Sequence, residues 1–367
     1  MSGTSQATTA IDRVMPARVA NVVGLGLIGG SVALALQERG WTVWGRDLDA
    51  SRQAEAYERG IIHEVGTNAD ASISFVATPA DESEMTVNDL LHNTHGVVTD
   101  VGSVKSRLMS AVSSPRFVGG HPMAGSELDG LDGADSSMFE GAIWVLTPGA
   151  SSDDTFATVA AVVNTLGAEV VVLPADRHDD LVAVISHVPH LTAATLMGLA
   201  DSRSEEHVAL LKLAAGGFRD MTRIAGGRPE IWLDVCSQNQ TAIVRALSEL
   251  IDGLTSMRDV VEHGDRNELL ERLSRARRAR MNLPSRVGPS TELTEVRIPI
   301  PDRPGGAAEV LTLAGELGVN AYDFEVVHSA EGDRGVIVLL IETAHAELFR
   351  GGLLARNFKP ALQRLSS

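Results

Sequence analysis

A serine and a histidine each follow a predicted β-strand at the point where that strand ends. Ser103 comes after the predicted strand Val97–Asp100, and His121 comes after the predicted strand Arg116–Gly119. Ligands of open α/β sheets bind outside the carboxyl ends of the strands. An imidazole has an ordinary pKa of about 6.5 and exchanges protons at neutral pH. The two side chains are therefore candidates for acid–base chemistry on a bound ligand.

Two pairs of basic side chains recur at helical spacing further along the chain. His187 and His190 are three residues apart, and Arg219 and Arg223 are four apart, so each pair shares one face of a helix. Such a face offers charge and hydrogen bonds to an anionic ligand. We expect His187 to have a structural role. Arg219 could be either a surface residue or part of the binding site. Four other histidines are expected to be solvated: His63, His92, His95 and His178. No set of His, Cys, Asp and Glu has the spacing of metal ligands, so no metal site is expected.

A glycine-rich segment between a predicted strand and an apolar helix has the context of a dinucleotide-binding fingerprint. Its first glycine permits a tight turn, its second lets backbone N–H groups approach a pyrophosphate, and its third lets the helix pack close to the strand. The N-terminus of the helix attracts the phosphates. The segment that we predict to bind the cofactor is Gly24-Leu25-Gly26-Leu27-Ile28-Gly29.

Two residues at the end of the second predicted strand bear on the choice of cofactor. Asp47 lies about 20 residues after the glycine segment, where a carboxylate binds the ribose 2′-hydroxyl of NAD. Arg46 beside it could instead receive the 2′-phosphate of NADP. The sequence favours NAD and leaves NADP open.

The elements that position these residues alternate between strands and helices, which predicts a Rossmann-type doubly wound sheet over residues 18–175. The helices Ile28–Arg39 and Thr155–Leu166 cover it. The predicted strands are Val19–Val23, Thr42–Arg46, Ile73–Ala77, Val97–Asp100, Arg116–Gly119, Ile143–Thr147 and Glu169–Val172.

Strand signals stop between residues 176 and 286, and apolar residues recur there at helical spacing, which predicts an all-helical second domain. Its large apolar faces favour a homodimer. The predicted helices are Ile185–Ala200, Glu205–Ala215, Glu230–Ser248 and Arg266–Met281. Strand periodicity returns after the linker 282–291 and predicts a small α+β domain over residues 292–367. Its predicted elements are Leu293–Ile300, Ala307–Leu317, Asn320–His328 and Gly335–Glu342.

The bulk composition narrows the class of protein. The chain has 367 residues, of which 44% are hydrophobic and 22% charged, as in a globular protein with more than one domain. Its net charge of -17 disfavours nucleic acid and anionic lipid as partners. Residues 1–17, which we expect to be disordered, contain no apolar signal-peptide centre, and no uninterrupted apolar run has the length of a membrane span. The single cysteine, Cys236, fits the reducing cytoplasm.

Four segments behind the glycine motif, in this order, resemble the signature of prephenate dehydrogenases and their arogenate-using relatives. The resemblance extends from Val19 to about Met281, and its most distinctive parts are His-Pro-Met-Ala-Gly and Thr-Arg-Ile-Ala. It implies NAD-dependent oxidative decarboxylation of prephenate to 4-hydroxyphenylpyruvate in tyrosine biosynthesis. The segments are Thr99–Lys105, Gly119–Glu127, Ser186–His190 and Gly216–Ala225.

The resemblance also implies roles for single residues. His121 matches the catalytic histidine that accepts a hydrogen bond, and finally the proton, from the ring hydroxyl of the substrate. Ser103 matches the serine that orients this histidine beside the nicotinamide. Arg223 matches the arginine that binds a substrate carboxylate, and His190 matches a histidine of the same pocket. Other positions that match the substrate pocket are Ser126, Glu127, Gly216 and Trp232, the last reaching it from a neighbouring subunit.

Two rival functions stay open at this point. An arogenate dehydrogenase would carry out the same reaction on an amino acid, whose ammonium group the carboxylate of Glu127 would favour. A protein of another class, a nucleotide-binding sensor without turnover, would keep the fold alone.

The C-terminal segment resembles an ACT domain, the small regulatory fold that often binds amino acids. The turn Ile300–Gly306 opens its first helix, where free N–H groups would hold the carboxylate of an effector such as tyrosine. No final strand is evident in the sequence after Leu353. A subunit-association module without a ligand therefore remains the alternative.

Overall fold

A computed structural model of the chain describes residues 18–126, 128–204, 213–281, 293–301, 305–328 and 334–364. Our predictions for residues 1–17, Glu127, the linker 282–291 and most of the helix Glu205–Ala215 lie outside the described residues. The chain divides into two compact units. The first comprises the residues up to Thr192 and Ile224–Ile251, and the second comprises Ala193–Arg223 and the residues from Asp252 onwards.

An eight-stranded sheet forms the centre of the first unit. Its strands are β1 (Val19–Val23), β2 (Thr42–Arg46), β3 (Glu64–Val65), β4 (Ile73–Val76), β5 (Val97–Asp100), β6 (Phe117–Pro122), β7 (Ile143–Thr147) and β8 (Glu169–Val172). Their order is β3-β2-β1-β4-β5-β6-β7-β8. All neighbouring strands are parallel except β6 and β7, which are antiparallel. The strand order reverses beside β1, which is where open α/β sheets bind ligands.

Helices cover this sheet and complete its core. Trp144 and Phe75 are fully buried in the sheet. Leu36, in the first helix, belongs to the same buried apolar cluster. The last helix of the group begins at an N-cap, Ser152, whose hydroxyl accepts the N–H of Thr155. The helices are α1 (Leu27–Glu38), α2 (Ala50–Glu58), α3 (Ser83–Asn93), α4 (Ser106–Ala111) and α5 (Asp153–Thr165). The doubly wound fold that the sequence predicts is confirmed.

The predicted end of β6 is wrong, and the error falls on a candidate site residue. We predicted that β6 would end at Gly119. The strand continues to Pro122, since His121 and Pro122 pair with Val145 and Trp144 of β7. This pairing joins residues that are distant in sequence, so the local pattern could not reveal it. His121 is therefore the last residue but one of a strand and does not lie in a loop. The short strand β3 was not predicted.

A continuous helical run follows the sheet. It consists of α6 (Ala175–Val182), a π-turn (Ala183–His187) and α7 (Val188–Ser204). Helical periodicity predicted only its second half. The run is long and apolar enough to cross a membrane by length and composition alone, as buried helices of soluble proteins also are. Within the first unit its residues Ala183 and Val188 are buried in an apolar cluster with Ile243.

The remaining helices are α8 (Gly216–Thr222), α9 (Pro229–Gln238), α10 (Gln240–Glu262) and α11 (Arg266–Met281). The bounds of α11 agree with the prediction. The single helix predicted over Glu230–Ser248 is wrong, because the chain breaks at Asn239 between α9 and α10. Asn239 is buried and its side chain donates to the backbone oxygen of Asp179 at 2.8 Å. A long-range hydrogen bond thus fixes a break that helical periodicity conceals.

A four-stranded antiparallel sheet forms the C-terminal part of the second unit. Its elements are β9 (Leu293–Pro301), α12 (Gly306–Glu316), β10 (Ala321–His328), β11 (Arg334–Glu342), α13 (Ala346–Ala355) and β12 (Ala361–Arg364). The strand order is β10-β11-β9-β12. Ile298, Ile337 and Phe349 are fully buried between the sheet and its helices. The final strand, which was not evident in the sequence, is present and pairs with β9.

A buried ion pair fixes the carboxyl ends of the two central strands. Asp100, at the end of β5, is 1% exposed, and Lys105, whose ammonium group contacts its Oδ2, is fully buried. The same carboxylate accepts the N–H of Gly102 and the N–H of Gly120, both at 2.9 Å. Asp100 therefore ties the loop after β5 to β6, one residue before His121.

Replacement of Asp100 by Asn should destabilise the first unit by about 3–5 kcal/mol, because it leaves the Lys105 ammonium group buried without a counter-charge. Urea unfolding followed by tryptophan fluorescence measures this change, since Trp144 is buried in the same sheet. Asp132→Asn is the matched control: Asp132 pairs with Arg59 at 2.9 Å but is 88% exposed, so its unfolding midpoint should stay unchanged. Equal unfolding curves for the wild type and Asp100→Asn would contradict this account.

Candidate active site

The glycine segment forms a tight turn between β1 and α1. Gly24 has φ +92°, and a Cβ there would lie 2.4 Å from the carbonyl oxygen of Ala77. A Cβ on Gly29 would lie 1.8 Å from the carbonyl oxygen of Gly24. A Cβ on Gly26 would meet no atom within 4 Å, and no side chain caps the helix that begins after it. The outer glycines are thus required by packing, and Gly26 borders open space at a helix N-terminus, which suits a pyrophosphate.

The end of β2 holds this turn in place. Asp47 accepts the N–H of Leu25 on Oδ2 at 2.7 Å and the N–H of Asp49 on Oδ1 at 2.8 Å. The guanidinium of Arg46 donates to Asp89 at 2.8 Å, so its charge already faces a carboxylate. A carboxylate beside the turn, next to an arginine that is paired, fits a ribose hydroxyl better than a 2′-phosphate.

His121 belongs to a chain of three hydrogen-bonded side chains. Its Nδ1 lies 2.8 Å from Nε2 of His178, and Nδ1 of His178 lies 2.8 Å from Oδ1 of Asp179. The two rings meet edge to face at a centroid distance of 5.0 Å. We predicted that His178 would be solvated, and this is wrong, because its side chain is fully buried. The predictions for His63, His92 and His95 are confirmed, since all three are exposed.

Asp179 is anchored by the backbone at the start of α4. Its Oδ1 accepts the N–H of Lys105 and its Oδ2 accepts the N–H of Ser106, both at 2.8 Å. Burial acts to raise the pKa of this carboxyl group, but the hydrogen bonds from His178, Ser106 and Lys105 together lower it. Asp179 is therefore ionised at neutral pH and acts only as an acceptor.

The surroundings of His121 favour the neutral imidazole. Burial lowers the pKa of His121 well below 6.5, and charge on His178, Lys105 and His187 lowers it further, while Asp179 acts in the opposite direction. A neutral imidazole at neutral pH has one nitrogen with a free lone pair, which is the requirement for a general base.

The other two site histidines form a second group on the adjoining helices. His187 is buried, its pKa is lowered by burial to about 4, and its Nδ1 lies 3.3 Å from Nδ2 of Asn239. This agrees with a structural role. His190 stacks on Trp232 with ring centroids 3.6 Å apart. We expected Trp232 to reach the pocket of a neighbouring subunit, and the structure gives it a partner within its own chain.

The remaining predicted residues are less enclosed. Ser103 is half-buried in the loop after β5, and the described hydrogen-bond partner of His121 is His178 rather than Ser103. Ser126 is exposed and accepts the N–H of Leu128 at 3.1 Å. Gly216, Arg219 and Arg223, at or near α8 in the second unit, are exposed, and Arg219 donates to the carbonyl oxygen of Ala214 at 3.2 Å. Glu127 lies outside the described residues.

Sequence reasoning missed three residues of this site: His178, Asp179 and Asn239. The signal that was available is the dipeptide His178-Asp179, which lies shortly after the predicted strand Glu169–Val172. Because a His next to an Asp on a helix is usually solvated, only the contact with His121 distinguishes this pair.

Comparison with known proteins is consistent with this geometry. Residues 32–172 match a family model described as the nucleotide-binding domain of prephenate dehydrogenase, and residues 174–275 match one described as its dimerization domain. The chain is 30% identical over 335 residues to the prephenate dehydrogenase of Bacillus subtilis, which covers 86% of this chain and 90% of that protein.

Two solved structures are similar to more than two thirds of the chain. Prephenate dehydrogenase from Aquifex aeolicus, crystallised with hydroxyphenyl propionate and NAD+, has a TM-score of 0.69 and 28% identity, covering 73% of this chain and 98% of that chain. Arogenate dehydrogenase from Synechocystis has a TM-score of 0.63 and 32% identity, covering 71% of this chain and 98% of that chain.

Alanine substitutions at Gly24 and Gly26 should have different effects on folding and on dinucleotide binding. Gly26→Ala should fold like the wild type but bind NAD at least about tenfold more weakly, because its methyl group enters the space left for the phosphates. Gly24→Ala should lose thermal stability as well, since its Cβ would overlap Ala77. Calorimetric titration with NAD and thermal unfolding measure both quantities.

Gly253→Ala is the control for these variants, because Gly253 lies in α10 with no atom within 4 Å of a Cβ. It should leave NAD affinity unchanged. Wild-type affinity in Gly26→Ala would show that the dinucleotide does not lie over this turn.

Proposed function

The chain belongs to the prephenate dehydrogenase family, and we propose that it catalyses the oxidative decarboxylation of prephenate to 4-hydroxyphenylpyruvate with NAD. One observation carries the proposal: His121, next to the last residue of strand β6, is a neutral imidazole whose Nδ1 is occupied by His178. Its Nε2 is therefore the nitrogen that remains for a substrate hydroxyl. β6 and β1 run parallel to β4 and β5 between them, so His121 and the glycine turn lie at the same edge of the sheet.

The proposed reaction needs a base at the ring hydroxyl. Hydride leaves the ring carbon that bears this hydroxyl, and the positive charge that develops there makes the hydroxyl proton acidic. Nε2 of His121 accepts the hydrogen bond and then the proton, which supplies about 10²–10⁴-fold in rate. When the bond to the carboxylate breaks, its electron pair enters the ring and restores aromaticity. The proton returns to the product oxygen.

We propose that the turn Gly24–Gly29 holds the pyrophosphate of NAD and that Asp47 binds its adenosine ribose. When bound, NAD supplies the hydride acceptor. Leu27 and Ile28, in the first turn of α1, offer N–H groups to the phosphates. The pairing of Arg46 with Asp89 supports NAD over NADP.

Substrate binding rests on residues whose roles come from the family resemblance. We propose that the guanidinium of Arg223 binds a substrate carboxylate, because a planar donor pair matches a carboxylate and the protein is otherwise acidic. His190, stacked on Trp232, and Ser103 complete the proposed pocket. Ser126, Glu127 and Gly216 are proposed to line it.

Arogenate is the second candidate substrate, because one similar structure is an arogenate dehydrogenase. The two substrates differ only in the side chain, a keto acid in prephenate and an amino acid in arogenate. The base at His121 serves both. We retain prephenate because the matched family domains and the relative from Bacillus subtilis carry that name.

We further propose a cytoplasmic homodimer with Rossmann, helical and ACT-like regions at 18–175, 176–286 and 292–367. The dimer is supported by the match to a dimerization domain and by exposed apolar residues along α10, namely Val244, Ile251, Leu254 and Val261. The antiparallel order β10-β11-β9-β12 supports an ACT-like fold. We propose an amino-acid effector such as tyrosine for it, from the resemblance to ACT domains. Sedimentation of the purified protein, with and without tyrosine, tests both points.

Initial rates with prephenate and with arogenate, each paired with NAD and with NADP, test the function directly. We expect the highest kcat/KM with prephenate and NAD, because the paired Arg46 leaves little charge for a 2′-phosphate. A tenfold preference for arogenate would transfer the assignment to the second candidate. Absence of turnover in all four combinations, in a protein that binds NAD, would indicate a nucleotide-binding sensor.

His121→Asn and Arg223→Ala should separate chemistry from binding. The first should lower kcat by about 10²–10⁴-fold with little change in KM, because only the base is lost. The second should mainly raise KM, by an amount equivalent to about 2–4 kcal/mol, because a substrate carboxylate loses its charged partner. Steady-state kinetics of both variants measure the split. Activity of His121→Asn within a few-fold of wild type would contradict the assignment of the base.

A further inference from the structure

We propose that His178 and Asp179 are positioning residues that fix the tautomer of His121, so that Nε2 of His121 always presents a lone pair to the substrate. This inference rests on the proposed function and deepens it. It depends on three side chains of the first unit, joined by two hydrogen bonds of 2.8 Å each.

The direction of the first hydrogen bond follows from Asp179. An ionised carboxylate has no proton to donate, and the backbone N–H groups of Lys105 and Ser106 hold both of its oxygens in place. The hydrogen bond between Asp179 and His178 must therefore carry its proton on Nδ1 of His178. In a neutral ring with a proton on Nδ1, Nε2 has the lone pair.

The direction of the second hydrogen bond follows from the first. Nε2 of His178 accepts, so Nδ1 of His121 must donate and carries the proton of that ring. Nε2 of a neutral His121 is then deprotonated. Without these two hydrogen bonds, the imidazole of His121 would be divided between two tautomers. Only the tautomer with a free Nε2 could remove a proton from the substrate.

The same hydrogen bonds also act after the proton is transferred. His121 then carries a positive charge and its Nδ1–H donates to His178, whose other ring nitrogen is hydrogen-bonded to the carboxylate of Asp179. In this step a single proton moves, from the substrate hydroxyl to Nε2 of His121, while the protons on Nδ1 of both rings stay in place. This arrangement holds the ring in one orientation and stabilises the charged form without a second base.

Several other charged and titratable groups lie around His121 and His178. Lys105 and His187 approach His121 and oppose its protonation, and the charge of Lys105 is balanced by Asp100. His187 is held by Asn239, which also donates to the backbone oxygen of Asp179. Among the described residues, the hydrogen-bond partner of Nδ1 of His121 is His178, so His178 sets the tautomer.

Substitutions at His178 should rank by their ability to accept a hydrogen bond. His178→Gln retains an acceptor oxygen and should keep kcat within about tenfold of wild type, whereas His178→Leu has no acceptor and should lose at least about 100-fold. Asp179→Asn should lose as much, because its amide group can donate to Nδ1 of His178 and reverse both hydrogen bonds. KM and the affinity for NAD should change by no more than a few-fold in all three variants.

The exposed pair His95–Asp70 provides a matched control, since its ring nitrogen and carboxylate are 3.1 Å apart at the surface. His95→Gln and Asp70→Asn should leave kcat unchanged. If His178→Gln and His178→Leu lose kcat equally, and in proportion to their loss of thermal stability, the pair is only structural and the inference is wrong.

Nitrogen-15 NMR of histidine-labelled protein tests the tautomer of His121 without substrate and without a substitution at His178 or Asp179. The signals of His121, identified by their loss in His121→Asn, should show a proton on Nδ1 and a free Nε2 at neutral pH. A proton on Nε2, or a doubly protonated His178, would overturn the inference even in an active dehydrogenase. An inactive protein with the expected tautomer would instead contradict the proposed function.

Discussion

The carboxylate of Asp179 is the interaction on which the site depends. It accepts two backbone N–H groups at the start of α4 and the ring N–H of His178, and so joins the loop after β5 to helix α6. Each of these donors would cost free energy if it were buried without a partner. Because the carboxylate satisfies all three, the loop that carries Ser103 and the helix that carries His178 are held in one arrangement, and the ring nitrogen of His178 that faces His121 has a fixed position.

The buried ammonium group and the buried imidazoles around this carboxylate differ in charge. The one buried ammonium group near His121, that of Lys105, is balanced by Asp100, which also holds β6 at Gly120. The histidines stay neutral because desolvation lowers the pKa of His121, His187 and His190. The buried ammonium group is therefore paired with a carboxylate, whereas the imidazoles are uncharged at neutral pH.

The cofactor turn follows a simpler rule, in which close packing determines the residue type. Gly24 is required by the backbone of Ala77 after β4, Gly29 is required by the backbone of Gly24, and Gly26 borders open space. Asp47 holds the turn by accepting the N–H of Leu25. Local constraints of this kind recur wherever a strand enters a helix at a phosphate site, which is why a short motif in the sequence predicts them well.

The sequence by itself determined the parts of this protein whose signals are local. Hydrophobic periodicity located five strands of the first sheet to the residue, the glycine spacing located the cofactor turn, and short segments around His121 and Arg223 indicated the family. Tertiary structure decided what depends on distant pairing. β7 extends β6 to include His121, Asn239 separates two helices by binding Asp179, and β12 completes the small sheet. The partnership of His178 with His121 joins residues 57 positions apart, and no local pattern distinguishes a buried His–Asp pair from a solvated one.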